Sequence, residues 1–277
     1  DSDVTIFEAL PVVGGMLAIG IPEYRLPRDI LEKEVEEIER VGVDIRTGIH
    51  IGKDITLNEL FEKGYKAVFI ATGAHKDLKL GIEGESLDNV MGAVDFLRKV
   101  NLGKIEKIKG RVAVIGGGNA AIDAARSALR LGVDEVNIIY RRRREDMLAH
   151  PEEISQAESE GVRMHFLTSP VRLQGNGRVC KIECLRMKLG NFDSSGRRKP
   201  VPIEGSKFTL DVDFVIRAIG QRPDTSFIKN HFEAKVCQKG TLVVNPDDLS
   251  VSKNGVFGGG DLVRGPSTVI EAIRDGI

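Results

Sequence analysis

The residues best placed to do chemistry in this chain form a run of glycines, Gly116-Gly117-Gly118-Asn119-Ala120-Ala121, which fits the spacing GxGxxA. In this spacing the first glycine allows a tight turn, the third lets a pyrophosphate approach the backbone, and the alanine lets a helix pack closely on a strand. The N–H groups at the start of that helix, together with the helix dipole, favour an anion. The run therefore predicts a dinucleotide-binding site.

The choice of dinucleotide depends on the end of the next strand, where an Asp or Glu would bind an adenosine ribose. Tyr140 is followed there by four arginines and by no acidic residue. Guanidinium groups bind a phosphate bidentately and stay charged, so the position favours NADP over NAD. We expect Arg141 and Arg142 to contribute most, since they lie nearest the strand end. The alternative is a solvated or salt-bridged basic turn.

A complete βαβ unit positions these residues. We predict a strand over Arg111–Ile115, the glycine turn, a helix over Asn119–Leu131 and a strand over Glu135–Tyr140, with the two strands parallel. The remaining patterns predict helices near 29–41, 92–100 and 151–160 and from about Ser267. They predict a short β-rich run over 1–9, strands near 43–51, 66–71, 212–218 and 241–245, a β-rich stretch over 162–219 and a polar hairpin over 191–199.

Length and composition set limits on the kind of protein. A chain of 277 residues, 41% hydrophobic, predicts two domains, and 40 basic against 41 acidic residues do not point to nucleic acid. No apolar run is long enough to span a membrane and no secretory signal is evident, so a cytoplasmic location is the default expectation. The three cysteines form no CxxC pair, which disfavours dithiol and metal chemistry. We expect Cys180 and Cys184 to be packed thiols. None of the five scattered histidines is assigned a catalytic role.

Several flanking features follow one another in a fixed order around the central unit. An acidic strand end at Glu8 precedes the pair Gly14-Gly15, and Ala71-Thr72-Gly73 comes before the GxGxxA turn. A second strand ending at Gly220 and a terminal run Gly258-Gly259-Gly260-Asp261 come after it. This order resembles the two-dinucleotide-domain flavoproteins. Together with the stretch Gly20 to Pro27, it resembles in particular the small (β) subunit of NADPH-dependent glutamate synthase and its relatives, which include a ferredoxin–NADP oxidoreductase subunit and the reductase part of dihydropyrimidine dehydrogenase.

The resemblance implies an α/β fold of two Rossmann-like domains, with the NAD(P) domain (residues 106–221) inserted in an FAD domain (residues 1–105 and 222–277). It also implies FAD contacts, which in relatives come from the strand-end acid, the double-glycine loop, the Ala-Thr-Gly turn and the terminal Gly-Asp with the helix start after it. In this sequence these positions are Glu8, Gly14, Gly15, Met16, Leu17, Ala71, Thr72, Gly73, Gly260, Asp261, Ser267, Thr268 and Val269, and the Gly20–Pro27 stretch adds Arg25. Gly220, at the end of the second strand, is a further cofactor-binding candidate.

The function implied by the resemblance is hydride transfer from NADPH to FAD, with electrons then passing to iron–sulfur centres or a partner subunit of the large glutamate synthase type. Relatives begin with a cysteine-rich iron–sulfur domain and a further GxGxxG unit, which we do not find ahead of Glu8. We therefore expect a fragment of a longer protein in which FAD binding is weak. The alternative is a nucleotide-binding or assembly module without turnover, and a colourless chain that binds NADPH would indicate it.

Overall fold

The structure is a computed structural model that describes residues 3–193, 196–229 and 235–277. Its strands are β1 (Thr5–Phe7), β2 (Asp44–Arg46), β3 (Val68–Ile70), β4 (Lys76–Asp77), β5 (Val90–Gly92), β6 (Arg111–Ile115), β7 (Glu135–Ile139), β8 (Arg163–His165), β9 (Thr168–Asn176), β10 (Arg178–Phe192), β11 (Arg198–Pro202), β12 (Phe208–Asp211), β13 (Phe214–Arg217), β14 (Gln221–Arg222) and β15 (Val256–Gly258). Its helices are α1 (Met16–Ile19), α2 (Arg28–Arg40), α3 (Leu57–Glu62), α4 (Ala93–Asn101), α5 (Asn119–Arg130), α6 (Pro151–Ser159), α7 (Ser226–Lys229), α8 (Asp261–Arg264) and α9 (Val269–Asp275).

The chain divides into two compact units. The inner unit is continuous, from Asp77 to Ile219, and the outer unit is built from residues 1–76 and 220–277. The α/β class and the insertion of one unit into the other agree with the sequence analysis. The predicted boundary at residue 105 does not, because β5 pairs in parallel with β13 and so brings residues 77–105 into the inner unit.

The inner unit is centred on a five-stranded parallel sheet with the strand order β5-β13-β6-β7-β8. Alternate residues of its strands face opposite sides, as period-two geometry requires. One face, which includes Val112, Val114 and Ile138, packs with the buried side chains of α4, α5 and α6. The other face, which includes Ala113 and Ile139, packs with residues of the antiparallel strands β9, β10 and β12. The sheet is therefore covered on both faces, and β6, which leads into the glycine turn, lies at its centre.

An arginine–glutamate cluster fixes α5 to the end of α6. Glu160 accepts hydrogen bonds from both Arg126 (3.1 and 2.7 Å) and Arg130 (2.8 and 3.0 Å). The bonds from Arg130 and then Arg126 lower the pKa of the Glu160 carboxyl from 4.5 to about 2. The Arg126 side chain is only 8% exposed, so this pairing also keeps a buried charge satisfied.

The outer unit contains two short parallel pairs, β1 with β2 and β3 with β15. Its core includes Leu57 and Leu60 of α3, Ile70 of β3, and Leu262 of α8. Helix α3 begins at a capping box, in which Thr56 accepts from the Glu59 backbone and Glu59 accepts from the Thr56 backbone.

Most predicted elements of both units are confirmed within a few residues. The strand predicted near 241–245 is wrong, because Leu242 forms only an isolated bridge with Val236. The predicted hairpin over 191–199 is formed by β10 and β11, although Ser194 and Ser195 lie outside the described residues, as does His231. No helix in the described part of the chain is long and apolar enough to cross a membrane.

Candidate functional site

The turn after β6 is shaped by Gly116, whose φ is 151°. A Cβ placed on this residue would lie 2.2 Å from the carbonyl oxygen of Ala218, which follows the neighbouring strand β13. The Gly116 N–H donates to the Ile139 carbonyl at 3.1 Å, on the other side of β6. Only glycine fits between the two neighbouring strands, as predicted for the first position of the motif.

Gly117 is constrained by an aromatic ring. A Cβ on Gly117 would lie 2.5 Å from a ring carbon of Tyr140, the residue that follows β7. The Tyr140 hydroxyl donates to the Asp146 carbonyl at 2.6 Å, and the Gly117 carbonyl accepts from the N–H groups of Leu148 (2.9 Å) and Ala149 (3.2 Å). The turn and the segment after β7 therefore support one another.

Gly118 differs from its two neighbours, because a Cβ here would meet nothing within 4 Å. Gly118 is the N-cap of α5, and no side chain caps the helix. Over the described residues, no hydrogen-bond partner is found for the N–H groups of Gly118, Asn119 and Ala120. Open space, free donors and a helix N-terminus are what a dinucleotide pyrophosphate requires, so the residues present fit that group.

Two further motif residues, Asn119 and Ala121, hold α5 in place. Ala121 is fully buried, which allows the close helix–strand contact expected of its position. The Asn119 side chain accepts a hydrogen bond from the His150 N–H at 3.2 Å and so connects the helix start to the start of α6.

The arginines after Tyr140 do not behave alike. Arg141 and Arg143 are exposed, and no side-chain hydrogen bond or ion pair of Arg141 is found within the described chain. Arg144 forms an ion pair with Glu158 at 2.9 Å. The four residues therefore divide into exposed cations and paired ones.

Arg142 is the clearest departure from expectation, since it is 4% exposed. Its Nη2 donates to Asp193 at 2.8 Å and its Nε donates to the Arg198 carbonyl at 3.0 Å. We expected the Arg142 guanidinium to bind the 2′-phosphate of NADP at the strand end, but here it bonds to the β10–β11 hairpin. This long-range pairing has no local signal in the sequence.

In the outer unit, Glu8 follows β1 and is half-buried. One of its carboxylate oxygens accepts from the Leu10 N–H at 2.7 Å. A carboxylate held in this way at a strand end can accept bonds from ribose hydroxyls, so Glu8 fits the role that the resemblance implies.

Gly14 and Gly15 form the turn before α1, with φ values of 109° and 52°. A Cβ on Gly15 would meet nothing within 4 Å. Met16 and Leu17 open the short helix and are half-buried, as is Arg25 in the loop that follows.

Arg28 is a residue of this region that the sequence analysis missed. Its Nη1 donates to the Leu17 carbonyl and its Nη2 to the Ile21 carbonyl, both at 2.8 Å. Burial lowers the pKa of the Arg28 guanidinium. The planar guanidinium of Arg28 thus stabilises the double-glycine loop. Its partners are backbone carbonyls, which every residue has, so the sequence does not indicate this role.

The remaining predicted residues of the outer unit follow β3 and β15, apart from Gly220, which is exposed and has a φ of 131°. Ala71 and Thr72 are exposed and Gly73, with a φ of 65°, is half-buried. Asp261 begins α8, a helix that the sequence analysis did not predict, after Gly260.

Asp261 accepts from the Ser267 N–H at 3.1 Å, and burial raises the pKa of its carboxyl. Thr268 forms a capping box with Glu271, and α9 then begins at Val269. Asp261 and the start of α9 are therefore joined, which agrees with the predicted grouping of Asp261, Ser267, Thr268 and Val269.

The cysteines lie apart from these residues. Cys184 is buried, as expected, and burial raises the pKa of its thiol to about 12. Cys180 is exposed, so its prediction as a packed thiol is wrong. Both residues lie on β10, but the pairing of β10 with β9 is irregular between Val179 and Lys181, so the alternation of sides does not carry over from Cys184 to Cys180. Among the described residues, no group of three or more His, Cys, Asp or Glu side chains could hold a metal ion.

A sequence profile of the pyridine nucleotide-disulphide oxidoreductase family matches residues 2–276, so the chain belongs to that family. It is 50% identical over 277 residues to the NADP(+)-dependent formate dehydrogenase subunit beta of Moorella thermoacetica, covering 99% of this chain and 39% of that protein. It is 36% identical over 289 residues to the glutamate synthase [NADPH] small chain of Azospirillum brasilense, covering 99% of this chain and 59% of that protein.

The chain thus spans from about two fifths to three fifths of the length of these relatives. Among solved structures, FprA from Mycobacterium tuberculosis in complex with NADPH matches with a TM-score of 0.81 at 22% identity, over 99% of this chain and 75% of that one. This likeness shows the fold. The family match covers nearly the whole chain, and 99% of the chain is similar to part of a glutamate synthase small chain.

Proposed function

We propose that the inner unit binds NADPH at the Gly116–Ala121 turn and that the outer unit holds FAD. Hydride would pass from NADPH to FAD, and electrons would go on to iron–sulfur centres or a partner subunit. The observation that carries the coenzyme part is the open space at Gly118 beside free N–H groups, followed by exposed Arg141 and Arg143 at the next strand end. The cofactors supply the redox chemistry when bound, and the protein positions and tunes them.

Each group of residues has a task in this proposal. The N–H groups of Gly118, Asn119 and Ala120 bind the pyrophosphate of NADPH, and Arg141 binds its 2′-phosphate. Glu8 accepts bonds from the adenosine ribose of FAD, and Asp261 from its ribityl chain. The loop from Gly14 to Leu17 with Arg25, the turn Ala71–Gly73, and residues 267–269 line the rest of the flavin site.

The names of the relatives support a place in a larger assembly. Both relatives are named as a subunit or a small chain, and both names include NADP(+) or NADPH. We therefore propose a partner subunit that accepts the electrons, of the large glutamate synthase type or another kind. The cytoplasmic location stays a prediction.

The test is an anaerobic rapid-mixing experiment on the protein supplied with FAD. NADPH should bleach the visible absorbance of oxidised flavin much faster than NADH does at equal concentration. The variant Arg141→Ala should reduce the rate with NADPH at low coenzyme concentration and leave the rate with NADH unchanged. A protein that binds NADPH yet takes up no flavin would instead indicate the alternative, a nucleotide-binding module without turnover.

A further inference from the structure

The β10–β11 hairpin extends from the antiparallel sheet of the inner unit to the arginine-rich turn after β7. Its strands pair from Met187 with Pro202 to Phe192 with Arg198. Neither the family match nor the sequence motifs assign any task to this hairpin.

A buried ion pair joins the hairpin to the turn. The Arg142 guanidinium, with a side chain 5% exposed, donates to Asp193 and to the Arg198 carbonyl, the two residues on either side of the hairpin end. Breaking a buried pair of this kind is costly, because it leaves a charge without a partner. Asp193 and Arg198 are therefore held on the turn by Arg142.

The same carboxylate that receives Arg142 also places Arg197. The second oxygen of Asp193 accepts from the Arg197 N–H at 3.2 Å, and the Asp193 N–H donates to the Arg197 carbonyl at 2.8 Å. The two oxygens of Asp193 thus connect the Arg142 guanidinium to the Arg197 backbone.

The charge of Arg197 acts on Tyr140, the residue just before the arginine-rich turn. Burial raises the pKa of the Tyr140 hydroxyl, and the positive charges of Arg142 and Arg197 act against that rise. The ring of Tyr140 covers Gly117. Since Asp193 joins the Arg197 backbone to Arg142, Arg197 lies beside the arginine-rich turn that also contains the exposed Arg141.

We propose that Arg197 is a further specificity-determining residue, which binds the phosphate monoester on the adenosine ribose of the coenzyme, and that Asp193 is its positioning residue. The inference rests on the proposed function. It adds a phosphate-binding residue that belongs to the hairpin rather than to the strand end. The negative charge of Asp193 does not oppose this role, since Arg142 already neutralises it and the set stays net positive.

Two nucleotides test the proposal without flavin or nicotinamide: adenosine 2′,5′-bisphosphate and adenosine 5′-monophosphate. By calorimetry, Arg197→Gln should weaken binding of the bisphosphate about tenfold or more, the size of one lost charge-assisted contact. Binding of the monophosphate should not change. Arg197→Lys, which keeps the charge, should recover part of the loss.

Arg178 offers a matched control. It is exposed at the start of β10, the opposite end of that strand from the hairpin. Arg178→Gln removes the same charge and should leave the affinity for both nucleotides unchanged. An equal loss in both variants would mean that general charge, and not position, is responsible, and would overturn the proposal.

Asp193→Asn separates positioning from simple electrostatics. Removing a negative charge near a phosphate would by itself strengthen binding of the bisphosphate. We expect weaker binding, because Arg142 and Arg197 lose the group that fixes them. Stronger binding would overturn the positioning role.

Failure of this inference is distinguishable from failure of the proposed function. If the wild-type protein prefers the bisphosphate and Arg197→Gln keeps that preference, Arg197 has no role, while the NADPH assignment stands. If the wild-type protein shows no preference, the NADPH assignment is wrong, and this inference is overturned with it.

Discussion

The ring of Tyr140 lies against the backbone of Gly117 so closely that a Cβ on the glycine would come within 2.5 Å of it. This contact joins the turn after β6 to the strand end after β7, the two places at which we propose that a coenzyme's pyrophosphate and ribose bind. The three glycines of the motif differ in their surroundings. Gly116 and Gly117 are enclosed by protein atoms, whereas Gly118 faces open space.

The first prediction contrasts two glycines. Gly118→Ala should fold normally, because its φ of −102° suits any residue and its Cβ meets no protein atom. It should nevertheless weaken NADPH binding about tenfold or more, as the methyl group holds the pyrophosphate away from the N–H donors. Gly116→Ala should instead destabilise the fold by about 2 kcal/mol or more through backbone strain and collision with Ala218. Urea unfolding and coenzyme titration of both variants check this, and a stable Gly116→Ala would contradict it.

The second prediction concerns coenzyme choice. Arg141→Ala should weaken NADPH binding about tenfold or more, because a bidentate phosphate contact is lost, and should not affect NADH, which lacks that phosphate. Arg142→Ala, unlike Arg141→Ala, should lower the melting temperature, since it leaves Asp193 without its buried partner. Titration with both coenzymes and a thermal melt distinguish the two variants. Equal losses for NADH and NADPH in Arg141→Ala would show that the arginine is only part of a solvated turn.

The third prediction concerns the double-glycine loop. Arg28→Lys keeps the charge but cannot bridge the Leu17 and Ile21 carbonyls with one planar fork, so we expect a stability loss of about 1–2 kcal/mol. Amide hydrogen exchange of residues 14–21 should become faster. Arg40→Lys is the control, since Arg40 is exposed at the end of α2 and forms only surface pairs with Glu36 and Glu37. Unchanged exchange in the loop would rule out the bracing role of Arg28.

The fourth prediction concerns acid stability. Glu160→Gln should destabilise the protein at neutral pH by about 2 kcal/mol, because Arg126 stays buried without its carboxylate. Glu158→Gln, which affects a more exposed pair with Arg144, should cost about 0.5 kcal/mol or less.

The effect of Glu160 should depend on pH in a defined direction. The folded pKa of Glu160 is depressed from 4.5 to about 2, so its stabilisation is complete above pH 4.5 and is lost as the pH falls towards 2. The difference between wild type and Glu160→Gln should shrink over that interval in urea unfolding. A difference that does not change with pH would mean that the charge of Glu160 is not responsible.

The sequence predicts the central βαβ unit nearly to the residue, because its signals are local: a buried strand, a glycine turn and an alanine-rich helix. The tasks of Gly116 and Ala121 follow from the same pattern. The start of the inner unit at Asp77 could not be predicted, because it depends on β5 pairing with β13, more than a hundred residues later.

The partners of individual side chains also could not be predicted from the sequence. The burial of Arg142 depends on a hairpin distant in sequence, and the bracing by Arg28 depends on two backbone carbonyls. Four adjacent arginines look equivalent as letters, yet two are exposed, one is buried and one is paired on the surface. Period and spacing give the position of such residues along the chain but not the direction of their guanidinium groups.

The buried pair of Arg142 and Asp193 also limits how coenzyme preference can evolve. A lineage that shifts from NADPH towards NADH can replace Arg141 or Arg143 one at a time, since each is exposed and its loss costs the fold little. Arg142 cannot be replaced alone without destabilising the protein. We expect Arg142 to change only together with Asp193. During sequence divergence at this strand end, Arg142 should therefore be retained after Arg141 and Arg143 have been lost.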